Sequence, residues 1–138
     1  MKNYINVFNI GCLMCIASYF LPWLKYDEST SWSGYNIADV TQYFRDGKDF
    51  NFIFSLVHVV FIGAIISLLL ISFGKDKQAR WIGLIVSITG LLSYMIIKLG
   101  LNGKSFLIGF TLGVIGLGIL LLQTFIPFFR KPLIAGKN

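Results

Sequence analysis

The chain has 138 residues, of which 56% are hydrophobic and 13% are charged, and its mean hydropathy is +0.75. A water-soluble domain of this length could not bury so much apolar surface, whereas a bilayer accommodates about 20 apolar residues in each helical crossing. The formal net charge of +6 does not indicate a nucleic-acid partner, because the basic residues separate apolar runs and do not form a basic surface with interleaved aromatics. The composition favours a membrane protein.

Four long apolar runs occupy residues 4–24, 52–73, 81–97 and 106–129, and none of them contains Asp, Glu, Lys or Arg. The runs are continuous and do not alternate, so they predict helices and not the strands of a membrane barrel. The first run is too long for a cleaved signal peptide and has no small-x-small cleavage site, so we expect it to be a helix of the bundle. We predict an all-α fold: an integral membrane four-helix bundle in a single transmembrane domain, 1–138.

The distribution of Lys and Arg predicts the orientation of this bundle. Seven lie in the two terminal segments and the second connection, and five lie in the first and third connections. The side with more basic residues is retained in the cytoplasm, so both termini should be cytoplasmic in a multi-pass protein of the cell (inner) membrane.

The first connection, residues 25–51, is the one sizeable segment outside the apolar runs. Asn36 followed by Asp39 resembles a helix N-cap with an acid in the first turn, and Ile37, Val40 and Phe44 then fall on one face. We predict a short amphipathic helix in this outer loop, on the membrane surface or across the end of the bundle.

Aromatic side chains in and beside this loop form a candidate recognition surface. They are Trp23, Trp32, Tyr35 and Phe44. Two interpretations are open: an ordinary interfacial loop with its aromatics at headgroup depth, or a surface for a ligand or partner.

Cys12 and Cys15 form a CxxC motif inside the first apolar run, on roughly one helical face. Four membrane helices with a CxxC resemble the quinone-linked disulfide-forming enzymes and the vitamin K epoxide reductases, which implies a redox function. Those enzymes use a second cysteine pair, and this chain has two cysteines in all. Small residues that pack between helices are the alternative interpretation, and we predict that one.

His58 is the single histidine, and it lies in the second apolar run. A polar side chain in hydrocarbon needs a partner, so His58 is a candidate gating or polar site. Two interpretations are open: a neutral histidine hydrogen-bonded between helices, or a pH-sensing group. One histidine with no carboxylate in any run cannot form a metal site or a proton relay, so we predict no metal, cofactor or catalytic residue.

Glycines in the last two runs have the spacing of close helix contacts. Gly109 and Gly113 form a GxxxG motif that continues to Gly116, and Gly83 with Ser87 repeats the pattern in the third run. Such positions let helix backbones approach closely. Two interpretations are open: packing within one chain, or the seam of a homo-oligomer.

The motif Phe20-Leu21-Pro22-Trp23, followed by Trp32-Ser33-Gly34-Tyr35, resembles the start of small bacterial four-helix membrane proteins of uncharacterised function. The long first outer loop is also similar in layout to that of the claudins. The resemblance implies interaction or assembly in the membrane, and it transfers no catalytic residue.

From this we expect a non-enzymatic, oligomeric membrane protein that acts by association, as a sensor, an immunity or defence component, or an accessory subunit. Its partners would be membrane lipids, further copies of the chain, or another membrane or soluble protein. The alternative is a small oligomeric ion channel or membrane-permeabilising effector, with Thr89, Ser93, Gln123 and Thr124 along a narrow path.

Overall fold

A computed structural model describes residues 4–25, 31–37, 50–100, 105–125 and 132–135. This part of the chain folds as four helices: α1 (Val7–Phe20), α2 (Phe50–Ser72), α3 (Asp76–Gly100) and α4 (Ile108–Phe125). The helical fold is as predicted. Four short strands accompany the helices: β1 (Tyr4–Asn6), β2 (Pro22–Lys25), β3 (Ser31–Ser33) and β4 (Pro132–Ala135).

The first helix is shorter than the predicted run 4–24 at both ends. Tyr4–Asn6 form β1, which pairs antiparallel with β4, and α1 ends at Phe20, just before Pro22. Proline has no N–H to donate and disfavours the helical conformation of the residue before it, so a helix usually ends there. An unbroken apolar run does not locate such a boundary.

The connection between α2 and α3 is a tight turn. Gly74 has a φ of +72°, and the N–H groups of Gly74 and Lys75 donate to the carbonyls of Ile71 and Leu70. This is the glycine-terminated pattern that closes many helices. α3 then begins at Asp76, five residues before the predicted limit of 81. Asp76 lies outside the apolar run, but an acid in the first turn stabilises a helix N-terminus.

Each of the four helices packs on its neighbours in the chain, and α4 also packs on α1. The buried positions of α1 follow a spacing of three and four residues at Phe8, Cys12, Cys15 and Tyr19. This is the spacing of a left-handed helix seam. In this seam Phe8 contacts α3 and Tyr19 contacts α2, while Cys15 lies against α4.

The strands mark the two ends of the bundle. The β1–β4 pair joins the two terminal segments at one end. At the other end β2 pairs with β3 and also contacts the segment before α4, where Leu107 N–H donates to the Trp23 carbonyl at 2.7 Å. The first and third connections therefore meet at this second end, which we call the capped end.

Candidate functional site at the capped end

The cap is the segment from Pro22 to Ile37, as far as the structure describes it, folded back onto the end of α1. The Tyr35 N–H donates to the Tyr19 carbonyl at 3.0 Å, and the Asn36 side-chain oxygen accepts from the Ser33 N–H at 2.7 Å. Gly34 lies against the Tyr19 backbone and the Trp23 ring. A Cβ atom at Gly34 would lie 3.1 Å from the nearest atom of each. The cap is therefore held against the end of α1 by one backbone hydrogen bond and by the close contact at Gly34.

Trp23 is a core residue and not a headgroup anchor or a recognition residue, so that prediction was wrong. Its side chain is fully buried, and its indole Nε1 donates to the Ser18 carbonyl at 2.6 Å. The ring packs edge-on against those of Tyr94 and Phe110, with distances between ring centroids of 4.6 and 5.6 Å. The sequence places Trp23 at the end of an apolar run, where interfacial tryptophans are common, but the turn at Pro22 directs it between the helices.

Two aromatic side chains remain outside. Tyr35 is 67% exposed and Phe20 is 62% exposed. Both rings pack edge-on against the Tyr19 ring, with centroid distances of 6.1 Å for Tyr35 and 5.3 Å for Phe20. Trp32 is half-buried, and it packs against the core cluster. Tyr35 is thus the predicted recognition residue with the most exposed side chain among those described.

The predicted amphipathic helix begins at the edge of the described segment. Asn36 forms a turn with Ser33, and Ile37, the first residue of its proposed apolar face, is fully buried. The rest of that helix, with Phe44, lies outside the described residues.

His58 is joined to α1 by a hydrogen bond. The Tyr19 hydroxyl and His58 Nδ1 lie 2.7 Å apart, and the tautomer of the imidazole decides which of the two donates. The Tyr19 ring also stacks on Phe61 at 4.1 Å. The structure shows the hydrogen bond between helices that the first interpretation of His58 requires. Tyr19 was missed as its partner, because no sequence spacing relates residues on two separate helices.

The three glycines of the predicted strip on α4 pack within the chain. A Cβ atom at Gly109 would lie 2.6 Å from the Leu21 carbonyl oxygen, and one at Gly113 would lie 2.5 Å from Ser18 Oγ. One at Gly116 would lie 3.0 Å from Cys15 Sγ. The GxxxG strip is therefore the contact between α4 and α1, and the same glycine face is not free to form an intersubunit seam.

Gly83 and Ser87 on α3 also face the interior. Gly83 contacts the Phe8 ring, where a Cβ atom would approach to 2.7 Å, and Ser87 is buried with its hydroxyl donating to the Leu84 carbonyl at 2.9 Å. Both positions serve packing between the helices of one chain.

Cys12 and Cys15 are free, buried thiols on the face of α1 that packs in the bundle. Cys15 Sγ fits beside Gly116, where a side chain on α4 would have no room. This geometry is that of small packing residues between close helices.

Of the polar residues predicted along a narrow path, Ser93 is bonded to its own helix and Gln123 lies in the interior. Ser93 Oγ donates to the Thr89 carbonyl at 2.7 Å, which satisfies the hydroxyl one turn back along α3. Gln123 is 1% exposed, and the side chain of Thr124 lies outside the described residues.

In comparisons with family models, with curated proteins and with solved structures, no match to this chain was found.

Proposed function

We propose that the chain is an integral protein of the bacterial inner membrane, with four crossings and both termini in the cytoplasm, which acts by association and not by catalysis. In the part of the chain that the structure describes, two helices are long and apolar enough to cross a membrane. The window Ser55–Ser72 has a mean hydropathy of 2.5, yet only 28% of it is buried. A helix of this composition in the core of a soluble protein would be mostly buried. The exposed apolar face needs an apolar solvent, and this observation carries the proposal.

The short helix α1 is compatible with a full crossing because both of its ends are extended by paired backbone. Its 14 residues span about 21 Å of the roughly 30 Å of hydrocarbon. Strand β1 precedes it and β2 follows it, and these pair with β4 and β3. Non-helical backbone is tolerated at membrane depth where the protein itself supplies the hydrogen-bond partners.

The ends of the bundle support an even number of crossings. The pairing of β1 with β4 holds the two terminal segments together, and the α2–α3 turn lies at the same end because Phe8, near the start of α1, contacts Gly83, near the start of α3. The capped end then faces outward if the side richer in Lys and Arg is cytoplasmic.

The cap supports the association part of the proposal. Tyr35 in the cap and Phe20 at the adjoining end of α1 are exposed aromatic side chains, and the backbone hydrogen bond from Tyr35 to Tyr19 holds the cap in place. Aromatic side chains on a preorganised surface are the usual centres of protein interfaces, because they contribute large contact area at low entropic cost. We place the association surface on this pair.

Topology is tested with reporter fusions. Fusions after Lys77 and after Asn138 should both report a cytoplasmic location, while a fusion near Gly34 should report an external one. An external signal at Lys77 would reverse the orientation, and a cytoplasmic signal at all three sites would contradict membrane insertion.

Association is tested by measuring the mass and the ion conductance of the protein reconstituted in bilayers. We expect an oligomer that conducts no ions, and we expect Tyr35→Ala to shift it toward smaller species. Leu13→Ala is the matched control, since Leu13 is 56% exposed on α1 and lies outside the cap. Selective conductance would favour the channel, and equal effects of the two substitutions would remove the cap from the interface.

A further inference from the structure

An apolar groove of about 370 Å³ lies between α3 and α4 near the capped end. This volume is in the range of small-ligand sites, about 300–1,000 Å³. Four residues of α3 and four from the segment beginning at Phe106 line it. They are Leu91, Tyr94, Met95, Lys98, Phe106, Phe110, Thr111 and Val114.

The groove runs lengthwise from the end of the helices toward their middle. On α3 its lining extends from Lys98 in the last turn back to Leu91, which is about 10 Å at 1.5 Å per residue. Met95 beside it is 61% exposed, so the groove opens on the outer face of the bundle. In a membrane that face meets lipid, and an apolar groove there is in contact with acyl chains.

Among the described residues that line the groove one is charged, and it lies at the end nearest the cap. Lys98 is exposed, and it is the basic residue of the last turn of α3. A second exposed lysine, Lys25, lies at the same end, where its backbone N–H donates to the Ser105 carbonyl at 3.4 Å, one residue before Phe106. Of the residues that the structure describes, the carboxylate Asp76 lies at the opposite end of α3.

We infer that this groove binds an anionic phospholipid of the leaflet that faces the cap, with one acyl chain between α3 and α4 and the phosphate at Lys98. The apolar lining matches the chain, and the lysine at its rim matches the charge of the headgroup. A lysine of this kind at the end of a membrane helix extends toward the interface, at the depth of the phosphates. This inference rests on the proposed membrane insertion.

Trp23 provides a local probe, because its ring contacts two lining residues, Tyr94 and Phe110. In a variant with Trp32→Phe and Trp81→Phe, the fluorescence of Trp23 is measured in vesicles that contain brominated phosphatidylglycerol or brominated phosphatidylcholine at equal mole fraction. Bromine quenches tryptophan at short range. We expect an about fivefold preference for the anionic lipid, which corresponds to about 1 kcal/mol for one lysine near the membrane surface.

Lys98→Gln should abolish this preference, and Lys75→Gln, in the turn at the other end of the bundle, should leave it unchanged. Equal quenching by the two lipids, or a preference that survives Lys98→Gln, would overturn the inference. If neither brominated lipid quenches Trp23 and the protein has the mass of a dimer, the inference is also overturned. That result would indicate that a second copy of the chain fills the groove.

Failure of membrane insertion is recognised separately. In a second variant only Trp81 is retained, which is 60% exposed on the outer face of α3 and distant from the groove. Brominated lipids of both kinds should quench Trp81 if the chain is inserted. Quenching of Trp81 without a lipid preference at Trp23 would refute the groove alone, whereas no quenching of Trp81 would refute the membrane proposal and the groove with it.

Discussion

Gly113→Ala should destabilise the bundle although it adds a single methyl group. The new Cβ atom would lie 2.5 Å from Ser18 Oγ and 2.6 Å from the Tyr94 ring and hydroxyl. The Ser18 hydroxyl can rotate, but Tyr94 is 2% exposed and stacked on Phe110, so its ring has little room to move. Overpacking of this kind costs about 1–3 kcal/mol, and the gain of about 0.5–1 kcal/mol from replacing a helical glycine offsets part of it.

Gly118→Ala is the matched control, five residues along the same helix. No atom outside its own helix and immediate neighbours lies within 4 Å of a Cβ atom at Gly118. The control should therefore keep or slightly raise the melting temperature in mild detergent, whereas Gly113→Ala should lower it. Removal of the Ser18 hydroxyl by Ser18→Ala should restore part of the loss, and a double-mutant cycle measures that coupling.

The mass of the detergent-solubilised protein separates packing within the chain from an intersubunit seam. We expect the subunit count to be the same in Gly113→Ala, in Gly118→Ala and in the unaltered chain. Equal melting temperatures for the two variants would refute the packing argument. A lower subunit count for Gly113→Ala at an unchanged melting temperature would mean that the glycine strip joins subunits after all.

Two further predictions concern buried polar groups. Tyr19→Phe removes the hydrogen bond to His58 and keeps the ring on Phe61, so it should lower the free energy of unfolding by about 0.5–1.5 kcal/mol. Tyr35→Phe, at an exposed position, is the control and should leave that free energy unchanged. Equal free energies of unfolding for the two variants would contradict the role given to the hydrogen bond. The double variant Cys12→Ser, Cys15→Ser should still be expressed and inserted, because a serine hydroxyl can bond to its own helix as Ser93 does. Loss of a quinone-dependent oxidation in that variant would support the redox enzyme.

The helical elements were accessible from the sequence because they depend on local composition. An apolar run without charged residues indicates a helix wherever the rest of the chain lies. Gly74 and Pro22 likewise act within one turn, since each restricts its own backbone or that of its neighbour. The polar first turn of α3 was missed because the run was delimited by hydropathy alone.

The sequence does not indicate which face of each helix is buried. In α2 and α4 nearly every residue is apolar, so the pattern does not distinguish a side that meets protein from a side that meets solvent. The GxxxG strip shows the consequence: the sequence indicated a close helix contact, but not whether the other helix belonged to the same chain. Only the packing of α4 on α1 identified it as an internal contact.

The cap and its neighbours depend on contacts between residues far apart in the chain. Trp23 is buried because Tyr94 and Phe110, some 70 and 90 residues away, provide its pocket, and His58 finds Tyr19 across 39 residues. The sequence by itself determined the type and approximate limits of the four helices that the structure describes, since these follow from local propensity and apolar length. Tertiary structure decided the roles of individual side chains, because burial and hydrogen bonding depend on which helices meet and in what register.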